Sequence, residues 1–164
     1  MNRWKRILHA TDLSGASRPA FRRAVRLGRR HGAELIVLHV SSEISAYEVS
    51  VIGSPAFCAA CEAATRRAAV RTVAALVTRA RRCGVQARGL VAQGIPGREI
   101  PRWAASLRVD VIVMGASRRR GLRRLLFGST ADAVIRRAPC PVLTIGVAPG
   151  VLGRSGERPV QVVA

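Results

Sequence analysis

The chain has 164 residues, 49% of them hydrophobic, and 28 basic against 9 acidic side chains give it a formal net charge of +19. That length fits one domain around a single core, and no apolar run approaches the roughly 20 residues that span a bilayer. The opening MNRWKRILHATD turns polar too soon for a signal peptide, so a cytoplasmic location is expected. The positive charge is almost all arginine, since Lys5 is the only lysine. Such an excess draws phosphorylated ligands, nucleic acid or anionic lipid through long-range fields.

Taken in order, Arg6 to Thr11 reads as a first strand, with Ile7 and Leu8 apolar and Asp12 at its carboxyl end. Ser17 to His31 has the helical period: Phe21, Ala24, Val25 and Gly28 recur at i, i+3, i+4 and i+7, and Gly32 supplies the stop. Leu35 to Val40 is a continuous apolar run, as in strands buried on both faces. His9 and His39 have no carboxylate or nucleophile near them in sequence, so the core or a pocket wall is expected for both. Ser41 to Phe57, with Gly53, Ser54 and Pro55 as breakers, reads as a flap or surface loop.

A long helix is expected from about Ala59 to Cys83, with Val70, Val73, Ala74 and Val77 on one face. Val85 to Ala92 carries polar Gln86 and Arg88, as suits an edge strand. After a turn at Gly94 to Gly97, Arg98 to Leu107 makes a short helix with Ile100, Trp103, Ala104 and Leu107 inward, and Pro101 fits it only in the first turn. Val111 to Met114 is a strand, Thr130 to Ala138 a helix, and Val142 to Ile145 the last strand. From Gly146 the glycine- and proline-rich tail has no periodicity and is expected to be mobile. Alternating strands and helices imply an open, doubly wound parallel sheet.

The chemistry concentrates in Val109 to Thr130, VDVIVMGASRRRGLRRLLFGST. Gly115 ends a buried strand and lets backbone approach a ligand with no Cβ in the way. Gly128-Ser129-Thr130 opens a helix and offers unpaired N–H groups, hydroxyls and the positive end of the helix dipole. Together they suit an anion, above all the phosphates of a nucleotide; an ordinary connection with a serine N-cap fits the same residues. Asp12 likewise suits either a ligand contact at a strand end or a cap for the following helix. The chain has no G-x4-G-K-[ST] loop and no G-x-G-x-x-G fingerprint. Cys58-x-x-Cys61 stands without a second pair or a nearby histidine, so no metal is expected there. With carboxylates so sparse, efficient phosphoryl transfer is not expected.

The same stretch resembles the signature of the universal stress protein family, G-x2-G-x9-G-[ST]. Gly115, Gly128 and Ser129 fall on its first, third and fourth positions, and Arg118 stands where the second glycine belongs. The flanking VDVIVMG and RRAPCPVLTI also resemble this family, which divides the chain into a domain over 1–146 and a tail over 147–164. The resemblance implies a five-stranded parallel sheet of order 3-2-1-4-5 in three α/β/α layers, with the first and fourth loops flanking a crevice where that order reverses. It also implies a regulatory protein holding ATP, with or without Mg, at Ala10, Thr11, Asp12, Val40, Met114, Gly115, Gly128, Ser129 and Thr130, to which the charge of Arg118 adds a phosphate ligand where the family has glycine. It implies a homodimer through Val142, Leu143, Thr144 and Ile145, an uncharged edge that the tail, through Val160 to Val163, could cover instead. Two other readings stand beside it. In one, Arg118 blocks the site and the protein works through protein contacts. In the other, Arg118 to Arg120 with Arg123 and Arg124 hold nucleic acid without regard to sequence.

Overall fold

The computed structural model describes residues 3–42, 51, 54–116, 128–146 and 161–163. Its apolar runs form five parallel strands: β1 (Arg6–Ala10), β2 (Glu34–Ser41), β3 (Ala87–Gln93), β4 (Val111–Ala116) and β5 (Val142–Gly146). They lie in the order β3-β2-β1-β4-β5, as expected. Four helices connect them: α1 (Arg18–His31), α2 (Pro55–Arg82), α3 (Pro96–Ser106) and α4 (Ser129–Arg137).

Alternation along each strand sends successive side chains to opposite faces. Ile7, Leu35, Val37, Val111 and Val113 join the side chains of α1 and α2 in one cluster, which Trp4 borders. Leu8, Ile36, Leu38, Ile112 and Val142 join α3 and α4 in the other, which Trp103 borders. Two separate cores, one per face, make the three-layer α/β/α arrangement. The helices of the second face come very close: a Cβ placed on Gly97 of α3 would stand 2.7 Å from the Cβ of Ala133 on α4.

Several local readings change. The long helix begins at Pro55, not Ala59, because Ser54 serves as its N-cap by accepting the amide of Phe57, and proline suits the first helical position. Its buried stripe is Cys58, Ala69, Val73, Val77 and Ala80, whereas Val70 and Ala74 are exposed. Pro101 lies in the second turn of α3, since that helix starts at Pro96. The bond it cannot make would run to the Gly97 carbonyl, and its ring is buried.

Residues 161–163 form a sixth strand, β6 (Gln161–Val163), antiparallel to β5 with Val142 opposite Val163 and Thr144 opposite Gln161. The edge of β5 is therefore covered by the chain's own tail in this structure. Any homodimer through Val142, Leu143, Thr144 and Ile145 must compete with β6 for the same backbone groups.

Candidate functional site

The carboxyl ends of β1 and β4 adjoin where the strand order reverses, with Ala10 opposite Met114. The chain leaving β1 is held by a dense local network. The Thr11 amide donates to the Leu38 carbonyl at 3.0 Å, and the Thr11 carbonyl lies 2.9 Å from Nδ1 of His39. The Thr11 hydroxyl, 3.0 Å from the hydroxyl of Ser17, also accepts the amide of Leu13. Leu13 takes a left-handed conformation (φ 63°), uncommon for a side chain of its size. Oδ1 of Asp12 accepts the Ser14 amide at 2.9 Å and the Ser14 hydroxyl at 2.7 Å.

This arrangement removes one of the two uses considered for Asp12. It caps no helix: the N-cap of α1 is Ser17, and Asp12 closes a turn of its own loop. Partial burial pushes its carboxyl up, but hydrogen bonds from Ser14 and Ser17 outweigh that and hold it below the usual carboxylate value. The residue is an exposed, charged acceptor at the lip of the crevice.

Gly115 faces this loop. A Cβ built on it would stand 3.7 Å from the Ala16 carbonyl oxygen and from the Cα of Ser17, so the first and fourth loops approach to ordinary contact distance. Ala10, Val40 and Met114 are buried members of the α3/α4 cluster and form the apolar floor at the strand ends. The N-terminus of α4 opens from the same end of the sheet. Gly128 is its N-cap, extended and without a side-chain cap, while Ser129 and Thr130 are exposed. The serine N-cap considered above is thus not found. The first described bond of this helix runs from the Asp132 amide to the Gly128 carbonyl, and the amides before it have no acceptor within the helix. Arg118, like Arg119, Arg120, Arg123 and Arg124, lies outside the described residues.

The structure therefore collects Ala10, Thr11, Asp12, Val40, Met114, Gly115, Gly128, Ser129 and Thr130 at one end of the sheet. Ser14 and Ser17, which with His39 position the first loop, are not among the site residues expected from the sequence. The Asp12-x-Ser14 spacing of an Asx turn was the available signal. His39 lines the loop through Thr11, while His9 is fully buried in the core; its Nδ1 lies 3.0 Å from the Val113 carbonyl and its Nε2 has no partner. Burial pushes the His9 imidazole down to about 4. Cys58 is buried and Cys61 exposed, and no group of three or more metal-ligating side chains occurs among the described residues.

A doubly wound α/β domain whose strand order reverses between β1 and β4 is the class this geometry defines. The chain belongs to the universal stress protein family, whose sequence profile matches residues 3–146. A universal stress protein of Methanocaldococcus jannaschii is 30% identical over 144 residues, covering 88% of this chain and 83% of the relative. One from Thermus aquaticus is 33% identical over 144 residues, 87% of this chain and 98% of its own. The solved structure of a universal stress protein from Lactobacillus plantarum superimposes with a TM-score of 0.63 at 26% identity, over 90% of this chain and all of that one. The same fold occurs in a family member from Arabidopsis thaliana solved with AMP bound (TM-score 0.58, 20% identity, 88% of this chain and 93% of that one). It occurs again in a universal stress protein solved with cAMP (TM-score 0.63, 20% identity, 90% of this chain and all of that one). Among the described residues no helix is long and apolar enough to cross a membrane.

Proposed function

We propose that this protein binds an adenine nucleotide, ATP first among them, between the loops that follow β1 and β4, and acts as a regulator and not as a hydrolase. The observation that carries the reading is that Gly115 faces the Ala16–Ser17 backbone across the strand-order reversal with space for one more carbon between them. At 3.7 Å the described protein leaves room for a Cβ at Gly115. Nothing among the described residues therefore calls for glycine there, and close approach of a ligand is the use this reading gives it. The AMP and cAMP held by proteins of this fold are consistent with the same class of ligand.

Asp12 and Val40 hold the adenine, the first as acceptor for its amino group and the second as an apolar wall. Gly115, Gly128, Ser129 and Thr130 hold ribose and phosphates through amides and hydroxyls at the positive end of α4. Arg118 adds a charge-assisted contact to the phosphates. Any Mg arrives with the triphosphate, since the acids of the chain are few. Loading of the crevice is passed on through client contacts or a dimer that forms when β6 leaves the edge of β5.

Acid release from purified protein, followed by ultraviolet spectroscopy and chromatography, tests for bound adenine nucleotide directly. Calorimetry should show Asp12→Ala weakening ATP by about 1–3 kcal/mol, the range for leaving a buried donor without its partner. Unchanged affinity in that variant refutes the placement of adenine. Arg118→Gly should weaken ATP as well; tighter binding would make Arg118 an obstruction and return the protein to the branch acting through protein contacts alone.

A further inference from the structure

The two helical layers differ sharply in charge. Helices α1 and α2 carry six arginines each, and Glu62 is their only acid. Helices α3 and α4 carry two arginines and one acid each. On that second layer half of the arginines are paired in place, Arg102 with Glu99 and Arg136 with Asp132. Glu34, at the start of β2, is taken up by Arg6 and Arg88. Asp110 accepts the backbone amides of Lys5 and Arg6.

Geometry makes the arginines of the first layer one surface. α1 packs over β1 and β4, and α2 over β2 and β3, so both helices lie on the same face of the sheet, over neighbouring pairs of strands. Their apolar stripes (Phe21, Ala24 and Val25 on one, Val73, Val77 and Ala80 on the other) face the strands. Arg22, Arg29 and Arg30 on α1 and Arg67, Arg71 and Arg82 on α2 are exposed, and none makes an ion pair or hydrogen bond among the described residues. Arg67 and Arg71 are one turn apart, about 6 Å, and Arg82 follows three turns on, about 16 Å further along the axis.

We infer that the outer face of α1 and α2 is a docking surface for double-stranded nucleic acid, held through its phosphates and without regard to sequence. A rigid, two-helix array of like charges suits a partner whose opposite charges repeat at fixed spacing, as a duplex backbone does. Guanidinium forks match phosphate oxygens, two bonds at a time. A bilayer is the poorer partner, because membrane-surface helices insert a whole apolar face, whereas the apolar stripes of α1 and α2 face the sheet and leave only Phe57 and Val70 as exposed large apolar side chains of these helices among the described residues. Base stacking is not involved: the chain is 4% aromatic, and no aromatic side chain interleaves Arg67, Arg71 and Arg82. The surface is separate from the crevice, so nucleotide binding and duplex binding can be tested independently.

The test compares two variants of the full chain that lose the same charge. Arg67→Gln/Arg71→Gln/Arg82→Gln alters the α2 face, and Arg98→Gln/Arg102→Gln/Arg137→Gln alters the opposite layer. Fluorescence anisotropy with a short mixed-sequence DNA duplex is followed from about 50 to 200 mM salt. The first variant should bind at least about tenfold more weakly, with the slope of log K against log salt reduced by about two to three, near one per lost phosphate contact. The second should stay within about threefold of wild type. Circular dichroism and adenine-nucleotide affinity, unchanged in both, establish that both fold. Equal losses in the two variants would make net charge alone responsible and overturn the assignment. So would an unaltered first variant, wild-type protein that ignores the duplex at low salt, or stronger retention on phosphatidylserine vesicles that the α2 variant abolishes.

Discussion

Lowering the pH should destabilise this protein by a measurable amount through the buried His9. His9 sits in the middle of the sheet, fully buried, with its ring 5.7 Å from that of Phe21 and its Nδ1 3.0 Å from the Val113 carbonyl. Nδ1 therefore carries the proton of the neutral ring, and a second proton would have to sit on Nε2, which faces no acceptor among the described residues. Burial is the main reason the group is pushed down from 6.5 to about 4; the Val113 carbonyl and the negative charge of Asp12 oppose it only in part. The folded chain thus holds His9 neutral while the unfolded chain protonates it below about 6.5. Stability is unaffected above that value, falls as pH drops through the interval, and levels off below about 4. At about 1.4 kcal/mol per unit, the loss is about 2 kcal/mol at pH 5 and about 3 kcal/mol at the lower limit. Urea unfolding at pH 7 and pH 5, on wild type and on His9→Leu, isolates the effect. The chain has three histidines, and the other two contribute alike to both proteins, so the difference between the two pH differences belongs to His9. The wild type should lose about 2 kcal/mol more than the variant over that interval. Equal losses in the two proteins would refute the reasoning, whatever the substitution does to stability at pH 7.

Gly97→Ala should destabilise the fold by about 1–3 kcal/mol, as overpacking does, because the new methyl would meet Ala133 at 2.7 Å. Thermal unfolding should show Ala133→Gly recovering part of that loss in the double variant; independent effects would contradict the close packing of α3 on α4. Deleting residues 147–164 removes β6 and frees the edge of β5, so light scattering should show a larger dimer fraction in the truncated chain than in the full one. An unaltered mass for the truncated chain at high concentration would count against assembly through Val142 to Ile145.

Much of the architecture could be read from runs of a few residues. Leu35 to Val40 and Val111 to Met114 are apolar throughout because both faces of those strands are covered, and that pattern has few other homes. The placement of the candidate residues needed the family resemblance for the strand order: once β1 and β4 are neighbours, Asp12 and Gly115 must lie at the same end of the sheet although more than a hundred positions separate them. The phase of α2 was harder. Its middle is so rich in alanine and valine that Val70 and Ala74 fit an apolar stripe as well as Ala69 and Ala80 do, and only the placement of the helix over β2 and β3 separates them. Its start was misread because Ser54-Pro55 signals a break and a helix beginning with the same two residues. The cover on β5 was legible only as an option, since Gln161 to Val163 is too short a run to announce a strand without the edge it pairs with.

The two tryptophans of the chain fall on opposite sides of the sheet. Trp4 borders the core under α1 and α2 and stacks on His31 with ring centroids 4.6 Å apart, while Trp103 borders the core under α3 and α4. Replacing either one with phenylalanine leaves a single emitter, and that emitter reports from one layer only. The stacked imidazole gives Trp4 a quenching partner that disappears when the first layer loosens, so the two signals differ in kind as well as in place. Denaturation followed in the two single-tryptophan chains would show whether both helical layers leave the sheet together or one peels away first, a distinction invisible to any probe that averages over the whole molecule.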